Sequence, residues 1–187
     1  MPRQRMTPFV LALALALPTA AVALPLVTAA PAHAQAQAQA SAFVGTYTLN
    51  QHASDNVERA INEAGSHVMF LIRGIARSRM RSTNVAYRRV NIAETANQFA
   101  ITFDQRAAIH SPSNGTAVQW TREDGEKMQV STRVADGKLV QTFIPPDGRR
   151  VNTYSLSNDG KTLTMEVVVT SPKLPQPLHY RLVFDRV

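Results

Sequence analysis

Cysteine is absent from this 187-residue chain. Disulfides, thiolate metal centres and thiol chemistry are therefore excluded, and so is lipid attachment to a cysteine after a leader. Catalytic signatures are missing as well. Ser66 follows Gly65, but no G-x-S-x-G elbow surrounds it. His33, His52, His67, His110 and His179 show no metal-ligand spacing, and no acidic residues cluster with them. Glu123, Asp124 and Glu126 fall at a hairpin tip, where acids serve turn chemistry and where no cleft supports acid–base catalysis. The reading is a non-enzyme with no metal and no cofactor.

The N-terminus carries what a secretory leader needs. Arg3 and Arg5 form a short basic region, Phe9 to Leu17 an apolar core, and Ala32-His33-Ala34 a small-x-small cleavage signal. Pro18, Pro25 and Pro31 break the apolar stretch, which argues against a membrane-spanning helix of about twenty residues. Residues 1–34 are read as a signal peptide and 35–41 (QAQAQAS) as a disordered tail. Residues 42–187 form one domain, expected in a periplasm or outside the cell. Apart from Arg3 and Arg5 the chain has 18 basic against 13 acidic residues. That excess permits contact with anionic lipid, polysaccharide or nucleic acid without choosing among them. Nucleic acid is set aside because no binding motif is present.

The second half is punctuated by glycine turns. Asn114-Gly115, Asp124-Gly125, Asp136-Gly137, Asp147-Gly148 and Asp159-Gly160 recur every ten to twelve residues. Such pairs suit the primed turns that close hairpins. Strands are expected at 42–49, 86–93, 97–104, 106–110, 116–121, 126–134, 138–144, 149–156, 161–170 and 178–186. Alternation is clean in Leu163, Met165, Val167, Val169 and in Leu178, Tyr180, Leu182, Phe184. Phe99, Ile101 and Phe103 form a third row. Between the first two strands the period becomes helical. Val57, Ile61 and Ala64 mark a helix over 55–64, with Asp55 and Glu58 placed as a capping box. Val68, Ile72, Ile75, Ala76 and Met80 mark a second over 67–80. The fold class is mainly β: about ten antiparallel strands in a meander closed into a barrel, with a helix–turn–helix lid between strands 1 and 2.

This element order resembles the fatty-acid-binding proteins within the lipocalin-like (calycin) barrels. Phe43-x-Gly45-Thr46-Tyr47 is similar to the F-x-G-x-W/Y start of those barrels and of small exported bacterial lipocalin-like domains. The resemblance implies a helical lid over the mouth and a hydrophobic or amphipathic small molecule inside. It also implies an Arg-x-Tyr carboxylate anchor in the last strand, but Leu182 and Phe184 stand at those positions. A ligand would then be neutral or held elsewhere.

The candidate ligand-binding set is the inward rows: Phe99, Ile101, Phe103, Trp120, Met128, Phe143, Tyr154, Met165, Tyr180, Leu182 and Phe184. The same rows could instead fill the barrel with side chains. Trp120, Phe143 and Tyr154 lie on strands that alternate less cleanly. Arg73, Arg77 and Arg81, four apart on the second helix, are the candidate contact for an anionic membrane surface or envelope partner. The alternative is an ordinary solvated face. A filled barrel using such a basic helix would be a structural or interaction protein of the envelope.

Overall fold

Period-two alternation folds into one continuous antiparallel ladder. The computed structural model describes residues 40–95 and 97–187. The leader expected at 1–34 and residues 35–39 of the tail lie outside them. The strands are β1 (Gly45–Leu49), β2 (Arg89–Thr95), β3 (Gln98–Phe103), β4 (Ile109–Pro112), β5 (Val118–Thr121), β6 (Lys127–Ala135), β7 (Lys138–Ile144), β8 (Arg149–Leu156), β9 (Thr162–Thr170) and β10 (Leu178–Arg186). Helices α1 (Val57–Ser66) and α2 (Arg73–Thr83) fall between β1 and β2. The sheet order is β4-β3-β2-β1-β10-β9-β8-β7-β6-β5. β1 thus lies between β2 and β10, with Tyr47 opposite both Val90 and Arg186.

The barrel is nearly closed, and its seam lies between the two end strands. β6 is long enough to serve both sides. Its first half pairs with β5, while Asn114, just beyond β4, bridges Arg133 in its second half. Gly115 N donates to Thr132 O at 3.0 Å, and the Ser111 and Thr132 hydroxyls share a hydrogen bond. Asn114-Gly115 is therefore not the hairpin turn its dipeptide suggested. β4 and β5 do not pair; the chain crosses the seam there, and Gly115 takes its φ of 86° to reach β6. Asp136-Gly137 is a true two-residue hairpin loop, with both residues at positive φ (52° and 70°).

The end of the barrel beneath β1 is sealed by one arginine. Tyr47 is fully buried, and its hydroxyl donates to Phe43 O at 2.8 Å. Arg186 stacks over the Tyr47 ring and donates to its hydroxyl at 2.6 Å. The same guanidinium group reaches Val44 O (3.0 Å), Ala42 O (2.7 Å) and Gly160 O (2.8 Å). Residues 40–42 form a helical turn with Ala40 buried.

The helices differ from their expected bounds. Asn56, not Asp55, caps α1, its Oδ1 accepting from Arg59 N at 2.9 Å. Asp55 instead accepts from Arg181 N at 2.8 Å and ties the helix entry to β10. Val57, Ile61 and Ala64 are buried, and α1 lies against β10. α2 starts six residues later than expected and runs to Thr83. Of its eleven residues only Met80 is buried. Ile75, Ala76 and Met80 line an open cavity rather than a core, and of residues 67–72 only Val68 is buried. Met69, Phe70 and Leu71 sit in the connection between the helices and are about 70% exposed (69%, 76% and 71%).

Candidate functional site

The interior is divided. Below, around β1, β3, β9 and β10, Tyr47, Phe99, Ile101, Leu163, Met165, Leu182 and Phe184 are fully buried and fill the space. Above, at the α2 end, a cavity of about 540 Å3 remains open. That is within the range of small-molecule sites. Its apolar wall includes Ile72 just before α2, Ile75 and Met80 within it, Val85 and Tyr87 from the following loop, and Phe103, Trp120, Met128, Phe143 and Val169 from the strands. Trp120 and Phe143 meet edge to face at 6.0 Å, and Tyr87 lies on Phe103 at 4.4 Å.

The eleven candidate ligand-binding residues are thus spread over both regions. Phe103, Trp120, Met128 and Phe143 line the cavity. Phe99, Ile101, Tyr154, Met165, Tyr180, Leu182 and Phe184 point inward and are buried, outside the cavity lining. Tyr180 reaches the cavity wall through its hydroxyl, by way of Arg150 and Asn84.

The polar part of the wall centres on Arg150, which sequence reasoning missed. Arg150 is the second residue of β8, opposite Phe143 and Val169. Its Nε donates to Asn152 Oδ1 (2.9 Å) and its Nη2 to Tyr180 Oη (3.3 Å). Its Nη1 donates to Thr83 O (3.1 Å) and Asn84 Oδ1 (3.0 Å) at the C-terminus of α2. Asn84 is held for this by its own Nδ2, which donates to Met80 O at 3.0 Å. Every acceptor is neutral. Among the described residues no carboxylate lies within ion-pair distance of Arg150. Deeper in the barrel Asn152 and Gln141 meet the Tyr154 hydroxyl, and Gln141 Nε2 is a buried donor without a protein acceptor. Burial pushes the Tyr154 and Tyr180 phenols up, so both remain neutral near pH 7. A sequence signal for Arg150 existed: Arg150, Asn152 and Tyr154 share one face of β8 by simple alternation.

The mouth carries paired charges. Arg79 of α2 meets Glu126 at 2.8 Å across to the β5–β6 hairpin, and Glu126 also meets Arg122 at 2.8 Å. Arg122 holds the exposed Asp124 carboxyl down to about 2. The arginines at steps of four are used between the helices. Arg81 makes a two-pronged contact with Glu58 of α1, its Nε at 2.8 Å and 3.0 Å from the two oxygens. Arg77 donates to Asn62 O at 3.1 Å, and its stem lies over Gly65, where a side chain would collide with it. Arg73 donates back to Val68 O at 3.2 Å.

No protein-family model matches the sequence, and no curated protein matches it. Solved structures do match the fold. A secretory abundant heat soluble protein from Ramazzottius varieornatus aligns with a TM-score of 0.56 at 9% identity, covering 78% of this chain and 96% of that one. A Schistosoma mansoni fatty acid binding protein, solved with arachidonic acid, aligns at 0.52 and 16% identity, covering 80% and 98%. Caenorhabditis elegans lipid binding protein 8 aligns at 0.50 and 16% identity, covering 79% and 96%. At these identities the likeness is one of fold: a calycin-type barrel with its helix pair between strands 1 and 2.

Proposed function

We propose that this chain is a carrier that holds a hydrophobic or amphipathic small molecule at the α2 end of its barrel. The observation that supports this reading best is the cavity of about 540 Å3, walled mainly by apolar side chains beneath a lightly seated helix. The fatty acid and lipid binding barrels that share the fold are consistent with it. The leader-like pattern of residues 1–34 supports a periplasmic or secreted carrier. No nucleophile or general base is assigned, and the proposed role is non-catalytic.

Trp120 offers a direct test, because it is the single tryptophan and lines the cavity. Titration with the uncharged dye N-phenyl-1-naphthylamine is expected to raise dye fluorescence and quench Trp120 emission with one saturating curve. At a hundredfold excess over Kd, bound ligand adds about 2.7 kcal/mol, or roughly 5–10 °C in melting temperature. No signal change and no melting shift, with this dye and with a panel of apolar compounds, would sink the carrier reading.

A second reading is supported by the connection between the helices. Met69, Phe70 and Leu71 expose adjacent large apolar side chains, and Ile72 and Ile75 continue the patch to the cavity mouth. The chain proposed to meet an anionic membrane surface is this segment with Arg73, since Arg77 and Arg81 are engaged with α1. Sedimentation with phosphatidylglycerol vesicles should capture the protein. Changing Phe70 and Leu71 together to serine should weaken that capture more than about tenfold, given the apolar area withdrawn. Equal recovery of both proteins would remove the segment from any membrane role.

A further inference from the structure

Where the chain crosses the seam, a reactive side-chain amide stands next to a guarded backbone nitrogen. We propose that Asn114 is a self-modification site: asparagine is converted there to aspartate or isoaspartate through a cyclic imide, at a rate set by opening of the seam between β4 and β6. The inference is independent of the carrier reading.

Asn114-Gly115 is the single Asn-Gly pair in the chain. Glycine has no Cβ, so its backbone nitrogen is sterically open to attack on the side-chain carbonyl before it. The fold prepares one reacting group and restrains the other. Asn114 is exposed, and its Oδ1 accepts from Thr116 N at 2.9 Å. That bond closes a ring containing both reacting atoms, Asn114 Cγ and Gly115 N. It also polarises the carbonyl and offers a donor to the oxygen on which negative charge develops. Gly115 N, by contrast, is engaged with Thr132 O at 3.0 Å. While that bond holds, the nitrogen is not free to turn towards Cγ.

Water is the only co-reactant. With the seam open, Gly115 N gives its proton to solvent base and attacks Asn114 Cγ. The new C–N bond closes the imide ring, and the side-chain amide nitrogen leaves as ammonia. Water then adds to one of the two imide carbonyls. Cleavage at Cγ gives aspartate on the original backbone. Cleavage at the main-chain carbonyl gives isoaspartate, with the chain rerouted through Cβ and Cγ.

The two products meet the seam differently. Aspartate places a carboxylate near Arg133, the residue that Asn114 bridges and whose side chain packs beside Gly115. Its backbone is unaltered, so Gly115 N can return to Thr132 O. Isoaspartate adds one backbone atom, about 1.5 Å of extra chain. Gly115 N then cannot return to Thr132 O without displacing β4. The contacts next in line are those of Ser113 with Asn97 O and the Ser111–Thr132 hydroxyl pair. β4 also carries Ile109 of the cavity wall, so the loosening reaches the cavity.

The test incubates the full chain at mildly alkaline pH beside an end-blocked peptide of residues 110–118. Conversion is read by peptide-mapping mass spectrometry, and isoaspartate methyltransferase labels the isoaspartyl product. The folded chain is expected to convert at Asn114 more than about tenfold more slowly than the peptide, because only the locally opened state reacts. Ser111→Ala removes the hydroxyl pair and should speed the chain several-fold. Urea below the unfolding midpoint should do the same, and it replaces the variant if that fails to fold. Hydrogen exchange should show residues 109–115 opening faster in the isoaspartyl form, while Asn114→Asp keeps the parent protection. Conversion as fast in the folded chain as in the peptide overturns the guarding role of the seam, and so does a rate unmoved by both Ser111→Ala and urea. No conversion in any arm, or a signal that persists in Asn114→Gln, overturns the site. Parent-like protection in the isoaspartyl form overturns the structural consequence.

Discussion

Phe184→Ala is expected to destabilise the barrel by about 3–5 kcal/mol, the range for truncating a buried phenylalanine in a tight core. Phe143→Ala is expected to lose only about 1–2 kcal/mol, because the cost of truncation depends on how much packing is removed. Both side chains are nearly inaccessible, so exposure alone would predict the same loss. Their surroundings differ. Phe184 stands opposite Leu163 of β9 and Leu49 of β1 in the filled half, with neighbours on every side. Phe143 faces the cavity and already lacks neighbours on that side. Urea unfolding followed by far-ultraviolet circular dichroism measures both. Equal losses would mean that the barrel is uniformly filled and that the division into a solid half and an open half is wrong. Bound ligand would narrow the gap between the two variants, because Phe143→Ala, which alters the cavity wall, would gain less from ligand than the parent chain.

Arg186→Met should destabilise the chain by about 2–3 kcal/mol, although Arg186 is exposed. Most surface substitutions stay within about 0.5 kcal/mol. This one removes donors to three backbone carbonyls and to the buried Tyr47 hydroxyl, together with the stack on the ring. Tyr47 keeps Phe43 O as an acceptor, which bounds the loss. Arg186→Lys should recover little of it, since an ammonium group cannot span carbonyls on two chain segments at once. Hydrogen exchange should localise the effect to residues 40–49. Full protection there in the methionine variant would show that β1 is held by its ladders alone.

The parts of this fold that depend on local chemistry were readable in the sequence. Leu163, Met165 and Val167 alternate without a break, and their strand forms where the alternation places it. The Asp136-Gly137 hairpin likewise follows from two residues that tolerate positive φ. What depended on distant partners was not readable. Asn114-Gly115 has the composition of a hairpin turn, yet its hydrogen bonds go to Thr132 and Arg133 of β6, and no local pattern discloses that. The apolar stripe from Val68 to Met80 looked like one helix, but a stripe does not say whether a core or a cavity lies opposite. Arg77 and Arg81 kept their helical spacing but turned to α1, where Glu58 and Asn62 were waiting at positions set by another helix. Arg150 was hidden for a different reason. The family resemblance implies an arginine in the last strand, where Leu182 and Phe184 lie in the filled half. The inward arginine stands two strands earlier, and its importance comes from Thr83, Asn84 and Tyr180, none of which is near it in sequence.

The position of β1 between β2 and β10 governs the order in which this protein can be built. Hairpins such as β6–β7 and β9–β10 join neighbours in sequence and can form as soon as they emerge. The β1–β10 ladder cannot, because Tyr47 must wait for Arg186. Joining segments so far apart in the chain is slow, and such sheets fold on the millisecond-to-second scale, not in microseconds. Until β10 arrives, β1 and β9 each show an unpaired edge, and the Tyr47 side of the barrel has no seal. A chain stalled before residue 178 would therefore hold a finished set of hairpins and no barrel, and would be the form most prone to aggregate.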